Sequence, residues 1–213
     1  DGDDTMFKHL VLSLNIYGEY GVGRSTKWLF HNTDAQVHSV DSDARWVKSV
    51  RQECQHSDRL HLQYCDVGPV GDWGWPLDDT GRVNYAHYTT AWWSEGIKPD
   101  LVLIDGRFRV FCFLTSLKYA KTGTKIIFDD YFNRPEYHLV EEFVKPSEAC
   151  GRQALFIKTT DTDAAFATTA RRRAALTRPA RCPQHQRAAR HPSRTGILQQ
   201  LPSVHPQIGW AGS

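Results

Sequence analysis

"GEYGVGRST" (18–26) overlaps the end of a short apolar stretch, "NIYGEY" (15–20), that reads as a buried strand. An acid precedes two alternately placed glycines, and a Ser-Thr pair closes the run. Three ligand-binding turns share this outline, and spacing separates them. A P-loop needs Gly-Lys-Ser/Thr in that order, but here Thr26 precedes Lys27 and no glycine adjoins the lysine. The dinucleotide fingerprint needs a third glycine three residues after the second; Thr26 holds that place. The third reading has an acid before the first glycine and needs no pyrophosphate. In it Glu19 accepts a bond from a cationic amino group, while Gly21 and Gly23 let backbone come close to the ligand.

Beyond the turn, apolar runs alternate with amphipathic stretches. Strands are expected at 15–20, 36–40, 59–65, 100–105, 124–129 and 153–159, and helices at 24–31, 42–54, 85–95, 108–120 and 136–144. Strand-helix-strand spacing of this kind predicts an α/β fold with a parallel sheet covered on both faces. "DLVLID" (100–105) is continuously apolar, as a central strand should be. In the helix over 108–120, Val110, Phe111, Leu114, Leu117 and Lys118 form the expected inward stripe.

Each of the first five strands ends at an acid: Glu19, Asp41, Asp66, Asp105 and Asp129-Asp130. Ligands bind outside the carboxyl ends of strands in open α/β sheets. Asp is also a common helix N-cap, which accounts for one or two of these positions. Five in a row, with a glycine turn at the first, favour a ligand crevice.

"EYGVGRST", "VHSVDSDARW", "YCDVG", "LVLIDGRFRV" and "IIFDDYFNRPEYHLVEEF" together resemble a class I S-adenosylmethionine-dependent methyltransferase, nearest to small-molecule O-methyltransferases with an "IDG" after strand 4 and a "DDY" after strand 5. The resemblance covers about residues 10–160 and lies in order and spacing. It implies a Rossmann-like, doubly wound, mostly parallel sheet of six or seven strands, the last antiparallel. It also implies cofactor contacts from Glu19, Gly21, Gly23, Ser25, Thr26, Asp41, Ser42, Asp66 and Asp105. Asp41 would take the ribose hydroxyls, Asp66 would lie near the adenine amino group, and Trp46 would wall the adenine or belong to the core.

In some similar enzymes the acids matching Asp105, Asp129 and Asp130 hold Mg²⁺, an ion that hard oxygen ligands suit. Without metal, Asp105 or Asp130 remains a general base for an acceptor hydroxyl, with His138 a second candidate. "DGRFRV" departs from those relatives by placing Arg107 and Arg109 where a further acid is common. Two readings follow: the arginines clamp an anionic acceptor, or they pair with Asp129 and Asp130 and leave no room for a metal. The expected reaction is methyl transfer to an oxygen of a small acceptor. An NAD(P)-dependent oxidoreductase and a non-catalytic scaffold on a degenerate methyltransferase fold are the rivals.

The segment 68–98 is long for a connection and holds Trp73, Trp75, Tyr85, Tyr88, Trp92 and Trp93. It reads as an insert that covers substrate; a satellite hydrophobic cluster or a homodimer contact is the other use of such aromatic density.

Charge divides the 213 residues in two. Residues 167–213 hold eight of the 26 basic residues and none of the 24 acidic ones, so the tail is +8 and the body −6. With five of the ten prolines and little apolar periodicity, the tail is expected to be disordered and solvated. A basic arm for nucleic acid is its lesser reading, and the sudden loss of Lys, Asp and Glu is also what translation past a lost stop would give. The domain expected to fold is 1–166. Five scattered cysteines without C-x-x-C suit reduced thiols rather than a cysteine zinc site. No apolar run reaches about 18 residues and no charged-then-apolar leader is present, so the expected setting is the cytoplasm, without a membrane partner.

Overall fold

Alternation along the strands sets the layers. In β1 (Ile16–Tyr20), Tyr17 packs to one side and Tyr20 to the other; in β4 (Leu101–Ile104), Leu101 and Leu103 oppose Val102 and Ile104. Both faces are therefore apolar and both must be covered. The computed structural model describes residues 3–54, 57–165 and 168. On one face lie α1 (Thr5–Val11), α2 (Arg24–Asn32) and α3 (Ala44–Glu53), contributing Phe7, Val11, Leu29, Val47 and Val50. On the other lie α4 (Tyr85–Thr90) and α5 (Arg109–Tyr119), contributing Tyr88, Phe113 and Leu117.

The remaining strands are β2 (Gln36–Asp41), β3 (Leu60–Tyr64), β5 (Lys125–Phe128), β6 (Glu148–Cys150) and β7 (Gln153–Ile157). The sheet runs β3-β2-β1-β4-β5-β7-β6. β1 to β5 are parallel, β7 is antiparallel to β5, and β6 is antiparallel to β7. This is the doubly wound, mostly parallel sheet expected, with seven strands. Strand order reverses between β1 and β4, so the crevice lies beyond their carboxyl ends.

Several local expectations need correction. α1 and β6 lie in stretches with no expected element. The inward side of α5 is Arg109, Cys112, Phe113, Ser116 and Leu117, whereas Phe111, expected inside, is 68% exposed. The sheet-facing stripe is thus rotated from the one expected, because Cys112 and Ser116 are small enough to sit against the strands. Over 136–144 the chain forms a 3₁₀ helix, Pro135–Glu142, rather than an α-helix. The helix expected over 85–95 is α4 followed by a 3₁₀ turn, Ala91–Glu95. The aromatic insert divides: Tyr88, Trp92 and Trp93 are core, while Trp73 and Trp75 are exposed. Residues 160–165 are helical, with Thr162 buried. Apart from Thr168, the basic tail at 167–213 lies outside the described residues. Among the described residues, no helix is long and apolar enough to cross a membrane.

Candidate functional site

The turn after β1 is held by a polar cluster below it. Glu19 is fully buried, and its carboxylate oxygens accept from Ser25 Oγ, from Thr26 Oγ1 at 2.5 Å, from Ser39 Oγ at 3.0 Å and from Tyr17 Oη at 3.1 Å. Thr26 Oγ1 in turn accepts from Gly23 N at 2.9 Å. Burial pushes the Glu19 carboxyl up to about 7, although the four hydroxyls each pull it down. Glu19, expected to reach a cationic amino group directly, instead grips the turn from beneath through Ser25 and Thr26.

Gly21 has φ +102°, and a Cβ there would meet Gly106 N at 2.9 Å. Reciprocally, a Cβ on Gly106 would lie 2.2 Å from Tyr88 Oη and 2.7 Å from Gly21 N. The glycine of "IDG" is therefore fixed by the glycine turn: two backbones touch where the crevice opens. Gly23 is extended and faces open space.

Asp41 ends β2. Its Oδ2 accepts from Val22 N at 2.7 Å and its Oδ1 from Asp43 N at 2.7 Å, which ties the turn to the neighbouring strand. Burial raises its pKa. Each oxygen retains acceptor capacity, since a carboxylate has about four lone-pair sites. Ser42 Oγ donates to Gly74 O at 3.0 Å, and the Arg107 guanidinium lies 4.7 Å from the centre of the Trp75 ring. The segment Gly71–Trp75 thus reaches from the end of β2 to the residues after β4. Trp73 within it has φ +57°, a left-handed conformation uncommon for a large side chain.

Asp105, Asp129 and Asp130 do converge: one oxygen from each lies within 4.8 Å of the others. Arginines hold them. Arg109 Nη2 donates to Asp105 Oδ1 at 2.9 Å and Nη1 to Asp130 Oδ2 at 3.2 Å. Arg152 Nε lies 3.0 Å from Asp129 Oδ2 and 3.2 Å from Asp130 Oδ1, and Arg134 lies 3.2 Å from Asp130 Oδ2. Gln153 Nε2 donates to Asp129 Oδ1 at 2.9 Å. Asp105 is pushed upward by burial and by Asp129, against the opposing pull of Arg109.

Arg107 behaves differently from Arg109. Phe108 between them is left-handed (φ +54°), so the two side chains part. Arg107 is half-buried, its Nε has no hydrogen-bond partner, and it forms no ion pair among the described residues. Its backbone N donates to Tyr88 Oη at 3.1 Å.

Three expected residues stand apart. Asp66 is exposed and caps its own turn, accepting from Gly68 N at 3.0 Å. The His138 ring packs on Tyr131, and Nε2 lies 3.2 Å from Tyr131 O; among the described residues no hydrogen bond or ion pair links it to Asp105, Asp129 or Asp130. Trp46 is exposed and lines a cleft of about 540 Å³ with Arg45, Ser49, Asp72 and Trp73. Sequence reasoning missed Arg152, Arg134 and Gln153, which come from after β5 and the start of β7. The only signal for them was that an acid triplet needs counter-charge.

A methyltransferase-like protein from Silicibacter pomeroyi is 33% identical to this chain, over 73% of this chain and 84% of that one, with a TM-score of 0.66. Other similar structures are a putative O-methyltransferase from Klebsiella pneumoniae (19% identical, 80% of this chain and 65% of that one, TM-score 0.41) and a methyltransferase of the mycinamycin biosynthetic pathway in complex with Mg and SAH (13% identical, 74% and 48%, TM-score 0.47). No protein-family model matches the chain, and no curated protein matches it.

Proposed function

The chain belongs to the class I S-adenosylmethionine-dependent methyltransferase family, and from that premise we propose that it transfers a methyl group from S-adenosylmethionine to an oxygen of a small, anionic acceptor. The observation that carries the reading is Asp41: a carboxylate at the end of β2, tied to the glycine turn, with acceptor capacity left on both oxygens. Two adjacent hydroxyls of a ribose need such a pair of acceptors. Gly21, backed by Gly106, supplies the close backbone approach, so the residues present fit the cofactor. When bound, S-adenosylmethionine supplies an electrophilic methyl group.

The rest of the work falls to this chain. Positioning is the main contribution in a displacement of this kind. Glu19 acts below the turn as a positioning residue through Ser25 and Thr26. Asp105, with its pKa raised towards neutrality, is the base for the acceptor hydroxyl proton. Arg107 binds the acceptor's negative group: a half-buried guanidinium with an unpartnered Nε and an aromatic ring beside it is suited to a carboxylate or phosphate. The segment Gly71–Trp75 borders that end of the crevice, held by Ser42 at Gly74 and with Trp75 against Arg107. Mg²⁺ does not fit the acid cluster as it stands, because Arg109 and Arg152 already occupy the carboxylates.

Calorimetry with S-adenosylhomocysteine and with NAD tests the reading. Binding of the first alone supports methyl transfer; binding of NAD alone supports an oxidoreductase, and binding of neither a scaffold.

A further inference from the structure

The guanidinium of Arg109 donates to five oxygens: the carbonyls of Gly106 (3.1 Å), Asp105 (3.0 Å) and Asp129 (2.7 Å), Asp105 Oδ1 (2.9 Å) and Asp130 Oδ2 (3.2 Å). A guanidinium has five N–H donors, so none is left over. The side chain is 5% exposed. Two carboxylates and three carbonyls around one buried centre are an oxygen-only donor set of the sort that hard divalent cations select. Here an organic cation fills it.

We infer that Arg109 is a built-in replacement for a divalent ion, so that this acid cluster works without metal and becomes a metal site only when Arg109 is removed. Charge agrees with geometry. Three carboxylates face Arg109, Arg152 and Arg134, which balances the cluster locally. A divalent ion added to that arrangement would leave it with a net charge of about +2 in a poorly solvated place, an unfavourable exchange. The ion could enter only if Arg109 withdrew and gave up all five bonds. The inference concerns the cluster alone and stands whether or not the chain transfers methyl groups.

The test uses the full-length chain and reads ion binding rather than turnover. The melting temperature of the unsubstituted protein should be the same in EDTA and in millimolar Mg²⁺ or Mn²⁺, and calorimetry should detect no Mn²⁺ binding. Arg109→Ala should melt lower in EDTA. Mn²⁺ at a hundredfold excess over its dissociation constant should then raise its melting temperature by roughly 5–10 °C. Adding Asp130→Asn to Arg109→Ala should abolish that rise. Arg109→Lys retains charge with three donors instead of five; it should melt between the two and bind no Mn²⁺. An unsubstituted protein stabilised by Mn²⁺, with the effect lost in Asp129→Asn, would overturn the inference. So would a folded Arg109→Ala that takes no ion. If Arg109→Ala does not fold, the unsubstituted protein and Arg109→Lys decide the matter by the same Mn²⁺ criteria.

Discussion

The crevice has two rims that keep their acids in opposite ways. On the β1–β2 rim, Glu19 and Asp41 are held by neutral donors: hydroxyls for Glu19 and backbone N–H groups for Asp41. On the β4–β5 rim, Asp105, Asp129 and Asp130 are held by guanidinium groups. Neutral donors orient a carboxylate without cancelling its charge; arginines do both. The first rim therefore keeps free acceptor capacity at Asp41, while the second is a balanced cluster with a fixed shape. The carboxyl end of the sheet thus supplies acceptors on one side and a scaffold on the other.

The contrast breaks first if amide isosteres act alike on the two rims. Asp129→Asn should destabilise the fold by about 4 kcal/mol, because it leaves the cluster with one positive charge in excess and Arg152 with Asp130 alone as its counter-charge. Urea unfolding reads this directly, and a loss below about 1 kcal/mol would show that the arginines are not needed for balance.

Glu19 should behave in the other direction. Its folded pKa is about 7 against an ordinary 4.5, so the folded state binds more protons between those values. Stability from this group therefore falls as pH rises from about 4.5 to about 7. Over the whole window the change is about 3 kcal/mol, and Glu19→Gln should remove the slope. Parallel pH profiles for the two proteins would mean that the four hydroxyls fully offset burial.

Asp41→Ala sharpens the ligand side of the comparison. It should weaken S-adenosylhomocysteine binding tenfold or more, about 2 kcal/mol for a lost charge-assisted bond. Unchanged affinity would remove Asp41 from the ribose role. The smallest effect is expected from the tail. A chain ending at Thr168 should keep its melting temperature and its cofactor affinity, a boundary moved from the end of the apolar pattern because Thr162 is buried. Salt-sensitive nucleic-acid binding by the full chain, lost on truncation, would restore the basic-arm reading.

The strand ends and their acids were legible because continuous apolar runs such as "LVLI" stop abruptly at Asp. β6 was not, since its three residues are largely exposed and have no alternation. α1 escaped for a related reason: seven residues give too few turns for a period to show. In the site, "RFR" announced two guanidinium groups but not their division. A left-handed Phe108 sends Arg109 into the acids and Arg107 towards Trp75, and no residue type in that triplet requires a positive φ. Arg152 was harder to read: an antiparallel last strand was expected, but no residue pattern announced the register with β5 that sets Arg152 beside Asp129.

That reversal also sets a schedule. An antiparallel β7 enters the sheet at the carboxyl edge, which is why Arg152, just ahead of it, arrives beside Asp129. The two residues are 23 positions apart, and at roughly 5–20 residues/s a ribosome takes about 1–5 s to add that length. For that interval β5 is a bare sheet edge, and Asp129 waits for its partner. An unpaired strand edge is a template for another chain. Arrival of β7 closes the edge and brings in the missing charge in a single event, so a nascent chain stalled between the two would carry both liabilities at once.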